Sequence, residues 1–173
     1  MIEAGDSDGK VATMKRVLCT MVLAVATTGI VFVMGLRRKS PPVLRVIRRM
    51  NHTVFNPRQM ESAGTPGAYA SIIRHSGRTT GRAYETPIQA VTTDEGFLIG
   101  LPYGGQADWL KNVFAAGTAT LVTEGQTHAV DQPKLIPIEA AADHYSPQEQ
   151  RSHRLFGVDQ ALLLRRVNPE EAA

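Results

Sequence analysis

Hydrophobic positions along the chain fall into three regimes. Residues 17–36 are apolar or small without interruption and carry no charge. Residues 43–54 place Val43, Leu44, Ile47, Met50 and Val54 near helical spacing, with Arg45, Arg48, Arg49 and His52 mostly opposite. From residue 69 onward the pattern breaks into short apolar runs separated by glycine, proline and acidic turns, the signature of strands. The expected strands are 69–74, 88–93, 97–101, 118–123, 127–135 and 161–167. Asp94-Glu95-Gly96 and Glu124-Gly125 are hairpin turn signals. Residues 107–116 read as a helix ended by Gly117, and 138–145 as a short one. Ser146-Pro147-Gln148-Glu149 has the capping-box form of a helix that ends near Gly157. Several hairpin-linked strands with one internal helix favour an antiparallel barrel over a doubly wound sheet.

The expected organisation has five parts. A polar, disordered segment (1–16) precedes a membrane anchor (17–36) and a basic amphipathic helix (37–60). A barrel domain (61–168), opened by a Gly/Pro linker at 61–67, and a frayed tail (169–173) complete the chain. Twenty residues rising about 1.5 Å each cross a hydrocarbon core of about 30 Å. A cleaved signal peptide would need a shorter apolar core, and Arg37-Arg38-Lys39 argues against cleavage there. A buried core helix is the other alternative. The heavier basic flank follows the span, which predicts a single-pass protein in the cell membrane with its C-terminal domain in the cytoplasm. The amphipathic helix then has two readings, contact with anionic lipid headgroups or packing of its apolar face on the barrel.

Charge sharpens this division. The net charge of +3 splits into +7 over residues 1–60 (ten Lys/Arg, three acids) and −4 over residues 61–173 (nine Lys/Arg, thirteen acids). The domain therefore lacks the basic excess that nucleic-acid binding requires. Cys19 is the single cysteine and lies in the apolar segment, so neither an internal disulfide nor a thiolate metal site can form. The five histidines show no zinc-helix spacing, and no nucleophile elbow is present.

The chemistry concentrates in residues 75–88, His-Ser-Gly-Arg-Thr-Thr-Gly-Arg-Ala-Tyr-Glu-Thr-Pro-Ile. Gly77 and Gly81 permit a tight turn whose amides can face an anion. Arg78 and Arg82 add forked, charge-assisted donors for a phosphate or carboxylate, and Thr79 and Thr80 add hydroxyls. The bland alternative is a solvated turn. It is not a P-loop, because no Lys-Ser/Thr follows the second glycine. A second block, Tyr103-Gly104-Gly105 through Asp108-Trp109-Leu110-Lys111-Asn112, places a glycine turn at a helix N-terminus. Asp108 is expected to cap that helix. Trp109 and Asn112, three apart, share one face of it; a sole tryptophan equally suits a core anchor.

Together the two blocks resemble the signature of the deazaflavin-dependent nitroreductase family, over about residues 69–166. The resemblance implies an α+β fold, an antiparallel split β-barrel of the FMN-binding type with peripheral helices. It implies hydride transfer from a reduced 8-hydroxy-5-deazaflavin coenzyme, with FMN as the runner-up cofactor, to a quinone or nitro-type acceptor. Carried onto this chain, Gly77, Arg78, Thr79, Thr80, Gly81 and Arg82 hold the cofactor's anionic tail. Pro87, Ile88, Gly104, Gly105, Trp109 and Asn112 border its ring, and Tyr84 and Tyr103 are the proton-donor candidates. A homodimer is also implied. Thr79, Tyr84 and the lack of a lysine beside Tyr103 depart from the family's more basic pattern. They keep open a non-catalytic fatty-acid or lipid carrier of the same fold, alongside the FMN barrel.

Overall fold

The computed structural model describes residues 5–50 and 56–167. The chain divides after Gly35 into an N-terminal helical unit and a domain that begins at Leu36. Helix α1 runs over Gly5–Arg37. It includes most of the polar segment expected to be disordered, because extending a formed helix is far easier than nucleating one. Residues 13–37 of it are long and apolar enough to cross a membrane. The hydroxyls of Thr20, Thr27 and Thr28 donate back to the carbonyls of Arg16, Leu23 and Ala24 at 2.5–2.8 Å. These three hydroxyls therefore have partners within the helix itself.

In the domain, α2 (Pro41–Met50) and the short α3 (Asn56–Met60) precede seven strands. The expected extension of the amphipathic pattern to His52 and Val54 lies outside the described residues, as does the tail from 168. Strands β1 (Ser71–Ser76), β2 (Ala83–Ile88), β3 (Val91–Thr92), β4 (Gly96–Gly100), β5 (Thr118–Thr123), β6 (Gln126–Pro137) and β7 (Gln160–Arg166) form one antiparallel sheet. Its order is β2-β1-β5-β6-β7-β4-β3.

That order forces the sheet to curl. The outermost strands, β2 and β3, are consecutive in sequence, with Ile88 ending one and Val91 starting the next. Six inter-strand spacings of about 4.8 Å would separate them by roughly 29 Å in a flat sheet, whereas three residues of chain reach at most about 11 Å. The sheet therefore wraps into the barrel-type α+β fold that the sequence predicts. Period-2 alternation divides β4 and β7 between two cores. Phe97, Ile99, Leu162 and Leu164 point inward with Ile73, Leu121 and Val130. Leu98 and Ala161 point outward to Ile138, Ala141, Tyr145 and Val158. Helix α4 (Asp108–Ala116) adds Leu110 and Val113, three residues apart, to the inner core. Gly117, at φ 71°, ends it in the left-handed conformation.

Three local expectations are corrected. The strand expected at 88–93 is only Val91–Thr92, and its predecessor already starts at Ala83. Thr86-Pro87 masks this strand in the sequence, yet an edge strand tolerates proline because no inner ladder needs its N–H. Residues 61–67 are no loose linker. Gly64 N–H donates to the Ala70 carbonyl at 2.7 Å, and Gly125 N–H to the Gly64 carbonyl at 2.6 Å. Asp108 does not cap α4. Ala107 is the N-cap, with no side-chain cap bond, and the Asp108 carboxylate turns to Arg78 instead. The capping box at Ser146 and Glu149, by contrast, starts α5 (Pro147–Phe156) as expected.

Candidate functional site

The β1–β2 hairpin turns at Gly77–Arg82. Gly77 N–H donates to the Arg82 carbonyl at 2.8 Å and Gly81 N–H to the Gly77 carbonyl at 2.7 Å. The amides expected to face an anion at these glycines are therefore engaged within the turn. Gly81, at φ 66°, supplies the left-handed residue, with no other atom within 4 Å of where a Cβ would stand. At Gly77 a Cβ would lie 2.8 Å from Cε2 of Tyr84 and 2.9 Å from the Thr80 hydroxyl. This glycine makes room for the Tyr84 ring.

Arg78 joins the hairpin to α4. Its Nη2 donates to Asp108 Oδ1 at 2.9 Å, and its Nη1 to Asn112 Oδ1 at 2.8 Å. Its backbone N–H also donates to Asn112 Oδ1, at 3.2 Å. The ion pair is exposed and stabilises by well under about 1 kcal/mol. The join depends more on Asn112, which is buried and carries three hydrogen bonds. Because its Oδ1 accepts from Arg78, its Nδ2 must be the atom 3.2 Å from His75 Nδ1. That nitrogen then accepts, and the His75 proton sits on Nε2, 3.2 Å from the Thr86 hydroxyl. Burial lowers the His75 pKa, and the Asn112 amide opposes a second proton on the ring. A polar chain from Thr86 through His75, Asn112 and Arg78 to Asp108 thus links β2, β1, the turn and α4.

His75 also supports Tyr84, its cross-strand partner. The two rings stack at 5.8 Å with 19° between planes. The Arg82 guanidinium lies 5.9 Å from the centre of the Tyr84 ring on an exposed hairpin. Thr79 and Thr80 are exposed beside it.

The structure brings some predicted residues together and separates others. Ile88 is buried in the inner core, and half-buried Trp109 packs against that same core. Pro87 is half-buried one residue earlier. Gly104, at φ 67°, opens the Gly104–Gln106 turn before α4, and nothing else stands within 4 Å of a Cβ placed on Gly105. The aliphatic part and Nζ of Lys39 pass 3.4–3.5 Å from where a Gly104 Cβ would be. Tyr103 goes elsewhere, packing on the cluster of Leu36, Leu44 and Ile47. The two tyrosines thus belong to different clusters, and only Tyr84 stands beside the hairpin.

His75 is the residue that sequence reasoning passed over. Its signal is its place at the head of the hairpin motif, at a core-facing strand position. A cleft of about 510 Å³ lies away from these residues, lined by Asp94, Glu95, Gln132, Lys134, Leu163, Arg165 and Arg166. Its mixed charges give it no evident link to the hairpin. Among the described residues, no three of His, Cys, Asp and Glu gather closely enough to hold a metal ion.

No protein-family model matches the chain, and no curated protein matches it significantly. Among solved structures it is similar to an F420-H2 Dependent Reductase (FDR-A), at 13% identity over 56% of this chain and 94% of that one, with a TM-score of 0.43. It is similar to a domain-swapped dimer at 11% identity over 70% and 98% of the two chains, TM-score 0.43. It is also similar to an F420 Reductase at 7% identity over 62% and 92%, TM-score 0.42. Identities of this size leave the chemistry to be read from the residues themselves.

Proposed function

We propose that this protein is a membrane-tethered oxidoreductase that passes hydride from a reduced deazaflavin cofactor to a lipophilic acceptor, a quinone or nitro-type compound. One observation carries the reading. The two sequence blocks that resemble the deazaflavin-dependent family are joined in space, through Arg78 to Asp108 and Asn112. Two motifs some thirty residues apart in the chain become one surface, as a single cofactor site requires.

The residues suit such a group. The open faces of Gly81 and Gly105 allow close approach, and exposed Arg82, Thr79 and Thr80 offer donors to an anionic tail. Half-buried Pro87 and Trp109 offer apolar contact for a flat ring, with Ile88 in the core beside them. The bound cofactor supplies the hydride; the chain supplies position and electrostatics. Tyr84, stacked on His75 and close to Arg82, is the proton-donor candidate for reduced acceptor. Arg78 supports the turn rather than gripping the tail on its own, since its guanidinium is already paired. The apolar span in α1 favours an acceptor that partitions into lipid, and the basic residues after it favour a cytoplasmic domain. The family resemblance adds a homodimer, which the mass of the detergent-free assembly tests.

Binding decides among the ligands. Full-length protein in nanodiscs is titrated with reduced deazaflavin coenzyme, with FMN and with a fatty acid. Saturable deazaflavin binding and quinone reduction support this reading. Preference for FMN makes it a flavin barrel. Fatty-acid binding without deazaflavin binding makes it a lipid carrier, the reading that Thr79 and Tyr84 favour by replacing cations.

A further inference from the structure

We infer that the outer side of α2, together with the adjoining C-terminal turn of α5, is a docking surface for the anionic headgroups of a lipid bilayer. The inference rests on the membrane-tether reading and states which part of the domain meets the lipid.

The first observation is charge. Between Asp8 and Glu61 the chain contains no acidic residue, while all ten Lys/Arg of the first sixty residues lie in that interval. A solvated surface of mixed purpose intersperses both signs. An acid-free basic run of this length presents a surface complementary to an anionic one.

The second observation is how α2 divides its faces. Leu44 and Ile47 are buried, with Val43 against them, on Leu36, Tyr103 and Phe156. That resolves the two readings of the amphipathic pattern for its deep face, which packs on the domain. Of its other residues, Arg45, Val46, Arg49 and Met50 are exposed and pair apolar with basic positions. Arg45 and Arg49 form one ridge; Val46 (54% exposed) and Met50 (44% exposed) form the next. Four-residue spacing keeps each pair aligned along the helix. A basic ridge beside an exposed apolar ridge is the arrangement of an interfacial helix, with aliphatic groups at the acyl boundary and guanidinium groups among phosphates.

The third observation is continuity. Phe156 of α5 shares the cluster of Leu44 and Ile47. The turn that follows brings Gly157 against Arg37, where a glycine Cβ would lie 3.2 Å from Arg37 Cα. Exposed Arg154 and Leu155 (51% exposed) repeat the pairing of a cation with an aliphatic group. The nearby acid Asp159 is neutralised by Lys39 at 2.5 Å. The apolar span itself ends at Arg37, with three residues between it and the start of α2, so chain connectivity holds α2 near any bilayer that the span crosses.

The test uses full-length protein with Cys19→Ser and Val46→Cys, the latter carrying a polarity-sensitive dye. It is reconstituted into vesicles of phosphatidylcholine alone or with about one third phosphatidylglycerol. Dye emission and quenching by spin-labelled lipid report the depth of α2, and flotation reports the tether. The expected result is flotation in both vesicles, with blue-shifted, lipid-quenched emission only in the anionic ones. That emission should be reversed by about 0.5 M salt, where the Debye length falls to a few ångströms. Arg45→Glu with Arg49→Glu and Arg154→Glu should abolish the blue shift and leave flotation intact. A dye exposed to water in anionic vesicles overturns the docking surface and leaves the tether standing. A blue shift that survives salt and the triple charge reversal also overturns it, because headgroup charge would then play no part. Loss of flotation on phosphatidylcholine with retained binding to anionic vesicles overturns the tether and supports the surface.

Discussion

Asn112 and His75 meet between α4 and β1, with Nδ2 of the amide 3.2 Å from Nδ1 of the imidazole. The same Asn112 receives two hydrogen bonds from Arg78, so one buried amide orients both the hairpin turn and the histidine beneath Tyr84. Most of the expectations below follow from that joint.

Asn112→Ala should destabilise the domain by about 2–4 kcal/mol, because it leaves a buried acceptor on His75 and a backbone donor on Arg78 unpaired. Chemical denaturation in detergent measures this. A change below about 0.5 kcal/mol would show that the joint does not hold in solution.

Asn112→Asp should act through the tautomer. An anionic oxygen facing His75 Nδ1 favours a proton there, so the His75 pKa should rise from its lowered position. Nitrogen NMR of the parent protein should show Nε2 protonated and Nδ1 bare near neutral pH. A parent ring protonated on Nδ1 would refute the assigned hydrogen-bond direction.

The pH dependence has a definite sign. The folded pKa of His75 lies below the ordinary value of 6.5, which applies in the unfolded chain. The unfolded state therefore binds more protons as pH falls, and stability drops. Its contribution is whole above pH 6.5 and is lost as pH falls through the lowered folded value. His128 and His153 shift in the same direction, also through burial first. Urea midpoints should stay nearly level from pH 8 to about 6.5 and fall from there to pH 5, and His75→Gln should flatten part of that fall.

Two glycine substitutions should separate site from fold. Gly77→Ala crowds the edge of the Tyr84 ring and the Thr80 hydroxyl, both on exposed residues, and meets the Arg82 carbonyl at an ordinary 3.5 Å. It should cost less than about 1 kcal/mol while displacing Tyr84 and lowering quinone turnover. Gly96→Ala places its Cβ against the Leu164 carbonyl, at a left-handed φ of 155°. It should prevent folding. Equal damage from both would contradict the assigned role of Tyr84.

For the cofactor, Arg82→Ala is the cleaner probe. Charge-assisted hydrogen bonds contribute about 1.5–3 kcal/mol, so affinity for the deazaflavin tail should fall roughly tenfold to a hundredfold at unchanged stability. Arg78→Ala should weaken binding and stability together, since it also removes the hairpin's bonds to Asp108 and Asn112. Tyr84→Phe and Trp109→Phe should lower turnover while leaving tail affinity largely intact. An Arg82→Ala protein that binds with full affinity would remove the hairpin from the site.

Local physics made much of this protein legible from its residues. The uncharged run at 17–36, the Ser146–Glu149 capping box, the Gly117 helix stop and the Glu124-Gly125 turn each depend on neighbours a few positions away. Period-2 alternation likewise placed the β4 and β7 runs. The two functional blocks were visible because their glycines, arginines and tryptophan are unusual at that spacing. Tertiary contact decided the rest. Pro87 hid a strand that its edge position permits. Asp108 left its cap because Arg78, thirty residues away, offered a charged partner. Tyr103 left the hairpin site because Leu36, Leu44 and Ile47 gave its ring an apolar bed. His75 gained its role from an amide on another element. Such choices depend on which surfaces meet when the sheet curls, and no window of sequence contains both partners.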